Sequence, residues 1–353
     1  MGIVDTEGKL YLSNNKYFAD AFNFYLYEGR EVIKEEELKE LDTTGVVAPF
    51  GNDARVPVQR YRDVFRIWNA MMDDNAIYVL LGAELQDKVH YGMPVKDGLY
   101  DMIGYSKQIE ELRKSYKKNE NPTVGQTDDG KIAVEDGKLR VKLTSEEFLS
   151  GMRKGDKLIP IITLVVYLGD NEWDGPRSLH DMLEFKDEGL RRFVPDYRIN
   201  LFSPTDMEDE SFECFHTSLG FAMKVLKYQR NNADRVIEEN GHKSIDRDTA
   251  VFLNNVASLN LEFEEEEGGI DMCLAMEKRS QKDKVTGAIE AYRDCGNSEE
   301  DIVSRVVEKF NVTREYVLAL LASPIVQGNG RGGEGHVQGN RRYEKPNSME
   351  YKG

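Results

Sequence analysis

The chain has 353 residues, of which 47 are Lys or Arg and 64 are Asp or Glu, giving a formal net charge of −17. Taken at face value this argues against a nucleic-acid partner, because phosphates repel an acidic surface and basic side chains supply most sequence-independent affinity for DNA. With 40% hydrophobic residues, and a length that allows roughly two domains, the composition excludes a wholly disordered chain.

No run approaches the ~20 apolar residues of a membrane helix. Residues 1–10 alternate charges and glycines where a signal peptide would carry an apolar core. The expectation is a cytoplasmic protein with no membrane partner. Cys214, Cys273 and Cys295 are widely spaced and odd in number, which suggests neither a disulfide framework nor a thiolate zinc site.

In chain order, Asn14 or Asn15 can cap a first helix with Phe18, Phe22, Tyr25 and Leu26 at helical spacing, and Gly29 is placed as its stop. An acidic run over 35–40 follows. From Arg55, the residues Val56, Val58, Val64 and Ile67 read as extended chain. A turn at 73–75 leads into the apolar run 77–81, so the two segments make an antiparallel pair in the middle of a sheet. The pattern is helical from Pro94 to about Lys118, with Leu99, Met102, Ile103 and Ile109 as its apolar stripe. A polar loop and a small hairpin turning at Asp136-Gly137 form an insertion over 119–147, and Thr144-x-x-Glu147 is a capping box for a short helix.

The run 158–167 is the strongest strand and reads as central and covered on both faces, with 199–202 pairing beside it. Beyond Ser203 the chain turns helical: Phe212, Phe215, Leu219, Ala222 and Leu226 are spaced three and four apart, and further helices fall around 248–261 and 301–321. Residues 328–353 hold seven of the 30 glycines and almost no apolar residue, which reads as a disordered tail. Its Gly328-x-Gly330-x-x-Gly333 has neither the strand before it nor the helix after it that a phosphate loop requires. The five histidines show no zinc-hydrolase spacing, and His180 and His216 read as structural or surface residues.

The informative constellation lies in the strand pair. Residues two apart on a strand share a face, so Glu84 and Gln86 project together while Ala83 and Leu85 face the other way. If the segments pair, Asp63 lies beside them, and two acids on adjoining strands can hold Mg²⁺ or Mn²⁺, which prefer hard oxygen ligands. Such an ion activates water and stabilises charge on a phosphodiester. Spacing alone leaves a plainer reading open, in which Asp63 pairs with a neighbouring Arg and Glu84 ends a strand in solvent.

Asp63, twenty intervening residues and Glu84-x-Gln86 resemble the PD-(D/E)XK nuclease motif in the variant with Gln in last place. That variant is typical of the recombination-promoting nuclease (Rpn) family, also called the YhgA-like transposases. Two further blocks are similar to that family: Met93 to Gln108, with Pro94, Tyr100, Asp101 and Tyr105, and Ile159 to Gly169 followed by Trp173-Asp-Gly-Pro-Arg-Ser-Leu179. The resemblance covers roughly residues 17–202.

It implies an α/β restriction-endonuclease-like core, a mixed central sheet flanked by helices, with a helical C-terminal region. The domains expected are 1–205 for the nuclease-like part, 206–325 for the helical region and 326–353 for the tail. The implied activity is metal-dependent DNA endonuclease action of a recombination-promoting or transposase-like kind, with Asp63, Glu84 and Gln86 catalytic. Asp63, Glu84 and the main-chain carbonyl of Leu85 are the implied Mg²⁺ or Mn²⁺ ligands. Asp20, Lys96 and Tyr100 are accessory candidates, Lys96 and Tyr100 for phosphate.

Several features depart from the pattern. Lys96 stands where the family often has Arg, 44–59 matches no pattern of the family, and Gln86 cannot act as a general base as the usual Lys does. The alternative is a catalytically weak or inactive nuclease-fold module that binds DNA or protein, with the acidic helical region serving a protein partner or masking a DNA site. A homodimer suits cleavage of both strands of a duplex.

Charge is unevenly distributed. Residues 55–118 carry a net +2, leaving −19 on the rest. Arg60, Arg62, Arg66, Lys88, Lys96, Lys107, Arg113, Lys114, Lys117 and Lys118 contact phosphates if they gather on one side, or else pair with neighbouring acids. If the acidic C-terminal part masks the site, removing residues after Ser203 strengthens DNA binding, provided the remainder folds.

Overall fold

A computed structural model of the chain describes residues 3–41, 44–47, 58–61, 63–72, 75–120, 143–230, 233–240, 244–263 and 269–322. The expected hairpin at Asp136-Gly137 and the expected glycine-rich tail lie outside these residues. The chain divides into two compact units, Met1–Met276 and Glu277–Gly353.

The first unit opens with helices α1 (Ile3–Ser13) and α2 (Asn15–Tyr27). Helix α1 was not expected; its glycine and charges are compatible with a helix because Gly8 is where it touches the sheet. A Cβ there would lie 2.4 Å from Leu85 Cδ2 and 2.7 Å from Leu168 Cδ1. Asn14 caps α2 by accepting from the Lys16 N–H at 3.0 Å. The chain leaves α2 through Glu28 and Gly29, both at positive φ. At Gly29 a Cβ would meet the Cys214 carbonyl at 2.5 Å.

Strands β1 (Leu38–Glu40), β2 (Thr44–Val47), β3 (Val58–Tyr61), β4 (Val64–Met72) and β5 (Asn75–Gln86) follow. Next come α3 (Met93–Glu120), α4 (Ser145–Ser150), β6 (Ile161–Tyr167) and β7 (Asn200–Phe202). The capping box of α4 is formed by Thr144 and Glu147 in both directions. The main sheet is mixed, in the order β1-β4-β5-β6-β7. β1, β4 and β5 run antiparallel in turn, with Val64 opposite Ala83, and β6 and β7 continue parallel, with Glu84 opposite Val165. The extended segment 56–67 is thus split: β3 pairs with β2 as a separate ribbon, and only β4 joins β5.

Helices cover both faces. Leu81, Ala83, Leu85, Leu164 and Val166 share a core with Phe18 and Phe22 of α2 and Leu12 of α1. On the other face Met93 of α3 packs with Val165, Tyr167, Trp173 and Ile199. A Cβ at Gly104 of α3 would lie 2.5 Å from Ile161 Cδ1, so the helix approaches the sheet closely. The chain is therefore an α/β protein with a mixed five-stranded sheet between helices, consistent with a nuclease-like core.

The apolar stripe expected for α3 is turned outward at Leu99 and Met102, both exposed. The face it buries carries Met93, Asp97 and Asp101 instead. Buried carboxylates are costly without partners, and Asp101 has its partners on β6 and before β7, as described below.

After β7 come α5 (Leu219–Lys227), α6 (Ala233–Glu239), β8 (Ser244–Ile245), α7 (Arg247–Ala257), β9 (Ile270–Asp271) and α8 (Met272–Asp294). The expected boundary at residue 205 falls inside the first unit. Leu219, Ala222, Met223, Phe252 and Leu253 belong to the same core as Tyr11 and Phe22. Tyr11 stacks on Phe252 at 4.3 Å, and its hydroxyl meets Thr249 Oγ1 at 2.7 Å. The described helices of the acid-rich span 204–276, which has 6 Lys and Arg against 16 Asp and Glu, accordingly contribute to the core of the first unit. The second unit has its own core, in which Val285 and Ile289 of α8 meet Ile302, Val303 and Val306 of α9 (Glu299–Phe310) and Val317, Leu320 and Leu321 of α10 (Arg314–Leu321). Among the described residues no helix is long and apolar enough to cross a membrane.

Candidate active site at the end of strand β5

Strand alternation sorts the last residues of β5. Ala83 and Leu85 point into the core beneath α1 and α2, whereas Glu84 points to the α3 side, where the Lys96 ammonium lies 3.1 Å from its Oε2. Glu84 is 1% exposed. Lys96 reaches it from the first turn of α3 and passes over the Tyr100 ring, 5.7 Å from its centroid.

Asp63 immediately precedes β4. Beyond the Val64–Ala83 pair the ladder has ended, and the Asp63 carboxylate takes over as acceptor: its Oδ2 receives the Leu85 N–H at 2.9 Å. The side chain is therefore held against the backbone of the residue that follows Glu84. Burial pushes the Asp63 carboxyl above its usual range. The Leu85 N–H and the charges of Lys96 and Lys9 pull the other way, and Asp5 adds to the rise. Burial also works against the Lys96 ammonium, but Glu84, and to a lesser degree Asp63, outweigh it and raise its pKa. Gln86 donates from Nε2 to the Leu85 carbonyl at 2.5 Å, leaving that oxygen a second lone pair.

The donor chemistry is two carboxylates and a main-chain carbonyl at consecutive or tied positions, which is what Mg²⁺ and Mn²⁺ accept. Among the described residues no group of three or more His, Cys, Asp or Glu gathers as a metal site. A divalent ion at this pair would therefore depend on the carbonyl and on water for its remaining ligands.

Sequence reasoning missed two groups of residues here. Asp5 and Lys9, on the unexpected helix α1, act electrostatically on Asp63, and Asp5 Oδ1 accepts the Asp87 N–H at 2.9 Å. On the α3 side, Tyr197 donates its hydroxyl to Asp101 Oδ2 at 2.5 Å, with Asp97 Oδ2 at 3.5 Å, and Thr163 Oγ1 of β6 donates to Asp101 Oδ1 at 2.9 Å. The i, i+4 spacing of Asp97 and Asp101 was the available signal, since it places both acids on one helix face.

The remaining candidates have other partners. Asp20 on α2 is buried and accepts from the main-chain N–H groups of His216 and Thr217 and from the Thr217 hydroxyl at 2.6 Å. It fixes the turn that enters α5. Arg66 is buried, donating to Asn15 Oδ1 and to the Ser13 and Phe65 carbonyls, so it locks the α1–α2 junction and is not available to phosphate. Lys114 pairs with Glu110, and Lys88 and Arg113 are exposed. The side chains of Arg60, Arg62, Lys117 and Lys118 lie outside those described. His180 and His216 hydrogen-bond the Val194 and Gly29 carbonyls, in keeping with structural roles.

No curated protein and no solved structure matches the chain. Residues 144–250 match the family model described as "Putative transposase, YhgA-like". This segment supplies α4, β6, β7, Thr163 and Tyr197 and continues through α5 and α6 into α7, whereas Asp63, Glu84, Gln86 and Lys96 precede it. It overlaps the resemblance read from the sequence over 144–202, which contains the Ile159–Gly169 strand and the Trp173 block. Residues 144–250 are thus similar to the family described as YhgA-like putative transposases.

Proposed function

We propose that this chain is a metal-dependent DNA endonuclease that hydrolyses phosphodiester bonds, with its site at the C-terminal end of β5. The observation that carries this reading is the tie between Asp63 and the Leu85 N–H, which sets one carboxylate beside the strand that bears the other. Asp63, Glu84 and the Leu85 carbonyl would hold Mg²⁺ or Mn²⁺. The ion, when bound, lowers the pKa of a water and offsets charge developing on the phosphoryl oxygens.

The chain's own residues have separate tasks in this reading. Gln86 orients the Leu85 carbonyl and offers an amide to water or substrate. It accepts no proton, so water activation falls to the metal and not to a side-chain base. Lys96 supplies a positive charge from a helix, suited to a phosphate oxygen as a point charge and not as a bidentate clamp. Tyr100 lies beneath that charge. DNA is the proposed substrate despite the net charge, because the acid excess is concentrated in 204–276 and the motif-bearing span is slightly basic.

A second reading is favoured by one observation. Glu84 already has a cation in Lys96, and the Leu85 carbonyl already has a donor in Gln86. A nuclease-fold module that binds DNA or protein without cutting would be arranged in this way. Nicking of supercoiled plasmid in Mn²⁺ separates the two. The enzyme reading predicts cleavage by the wild type that falls to background in Asp63→Ala, and equal background from both proteins overturns it.

A further inference from the structure

Glu84 is a carboxylate withdrawn almost entirely from water, and such a group requires a compensating charge. Lys96 provides it at 3.1 Å, and Asp63 adds to the attraction that holds the ammonium there. The lysine comes from a rigid element. The Tyr197 ring lies flat against Gly98, where a Cβ would come within 3.2–3.3 Å of ring atoms. Its hydroxyl and that of Thr163 grip Asp101 from the two sides. Helix α3 is thereby pinned to β6 and to the segment before β7 within two turns of Lys96, which aims the side chain at Glu84.

We propose that Lys96 is the resident counter-cation of Glu84 and competes with a divalent ion for it, so that ion binding at Asp63 and Glu84 turns the ammonium out toward the substrate phosphate. The inference rests on the metal-site reading above. An ion accepting electrons from Glu84 would stand within a few ångströms of the ammonium, and like charges that close repel strongly in a buried site. The coupling is reciprocal: whatever weakens the hold of Lys96 on Glu84 strengthens the ion, and the converse. The flexible lysine stem lets the ammonium leave without moving α3.

The test is Mn²⁺ affinity of the full chain without DNA, read from the free-ion paramagnetic resonance signal, for the wild type, Lys96→Met, Lys96→Arg and Glu84→Gln. Far-UV circular dichroism checks the fold of each protein. Lys96→Met is expected to bind about tenfold tighter or more, a change of about 1.4 kcal/mol. Lys96→Arg keeps the charge and grips a carboxylate through two parallel N–H groups, so it is expected to bind more weakly than the wild type. It serves alone if the Met variant does not fold. Affinity unchanged or reduced in Lys96→Met, or unchanged or increased in Lys96→Arg, overturns the inference. If binding ignores residue 96 but is lost in Glu84→Gln, the metal-site reading stands and only the competition falls. Absence of Mn²⁺ binding in every protein overturns both.

Discussion

Asp63 Oδ2 accepts the main-chain N–H of Leu85 at 2.9 Å, so a side chain completes the β4–β5 ladder where β4 has ended. The bond does two things at once: it satisfies a strand N–H, and it fixes a carboxylate against the backbone of the residue that follows Glu84. These roles can be separated by substitution. Asp63→Asn retains an acceptor for Leu85 and is expected to stay close to wild-type stability while losing Mn²⁺ binding. Asp63→Ala leaves the N–H without its partner and is expected to cost a further 1–2 kcal/mol or about that much in urea denaturation. Equal stability of the two variants would show that the bond carries no weight.

Tyr197 is expected to matter out of proportion to its distance from the acids in sequence. Tyr197→Phe keeps the ring on Gly98 and removes the donor to Asp101, leaving a buried carboxylate short of a partner. Destabilisation of about 1–3 kcal/mol is expected, measurable by chemical denaturation. In a double-mutant cycle with Thr163→Val the two losses should be non-additive, because both hydroxyls serve the same carboxylate. Strict additivity would show that Asp101 does not link them.

Acid stability should depend on Asp246, the N-cap of α7. Burial works against its charge, but hydrogen bonds from Tyr17, Thr249 and Ser218 outweigh that and hold its carboxyl down to about 2. A carboxyl lowered on folding stabilises the folded state above its unfolded pKa, near 3.9. That contribution is lost as pH falls from there through about 2. The midpoint of thermal unfolding should therefore drop between about pH 4 and 2 in the wild type. It should drop less in Asp246→Asn, which begins from a lower value. Parallel curves for the two proteins would contradict the assignment.

A fragment ending at Ser203 is expected not to fold. It would lose Leu219, Met223, Phe252 and Leu253 from the core of α1 and α2, and each large side chain is worth about 1.5–3 kcal/mol of burial. The expected result is a non-cooperative melt, and a sharp transition would contradict it. Stronger DNA binding after removal of residues beyond Ser203, expected from sequence if the acidic C-terminal part masks the site, requires that the fragment fold, and loss of these core residues argues that it does not.

How much of this was legible beforehand follows from which physical signals are local. The β4–β5 pair, the face shared by Glu84 and Gln86, the capping box at Thr144 and the central strand β6 all rest on alternation or short-range capping, and the structure has them. Helix α1 was missed because Gly8 lowers local helix propensity while serving a tertiary contact with Leu85 and Leu168. Leu99 and Met102 of α3 face outward although apolar periodicity marks a core, because the face buried here carries Asp97 and Asp101, the latter bonded by Thr163 of β6 and by Tyr197. The expected boundary at 205 falls inside the first unit for a related reason: periodicity shows that 219–226 is helical but not which core it joins. The placement of Asp63 beside the end of β5 could be anticipated from strand pairing. The engagement of Glu84 by Lys96 could not, since it depends on how α3 crosses the sheet.

The most direct test of the central claim, that Asp63 and Glu84 together hold a divalent ion, is an anomalous difference map from a Mn²⁺-soaked crystal of the full chain. The account predicts a peak between the two carboxylates and within ligand distance of the Leu85 carbonyl, with the Lys96 ammonium withdrawn from Glu84. A map with no peak at that place, and Lys96 still paired to Glu84 at saturating Mn²⁺, would contradict it.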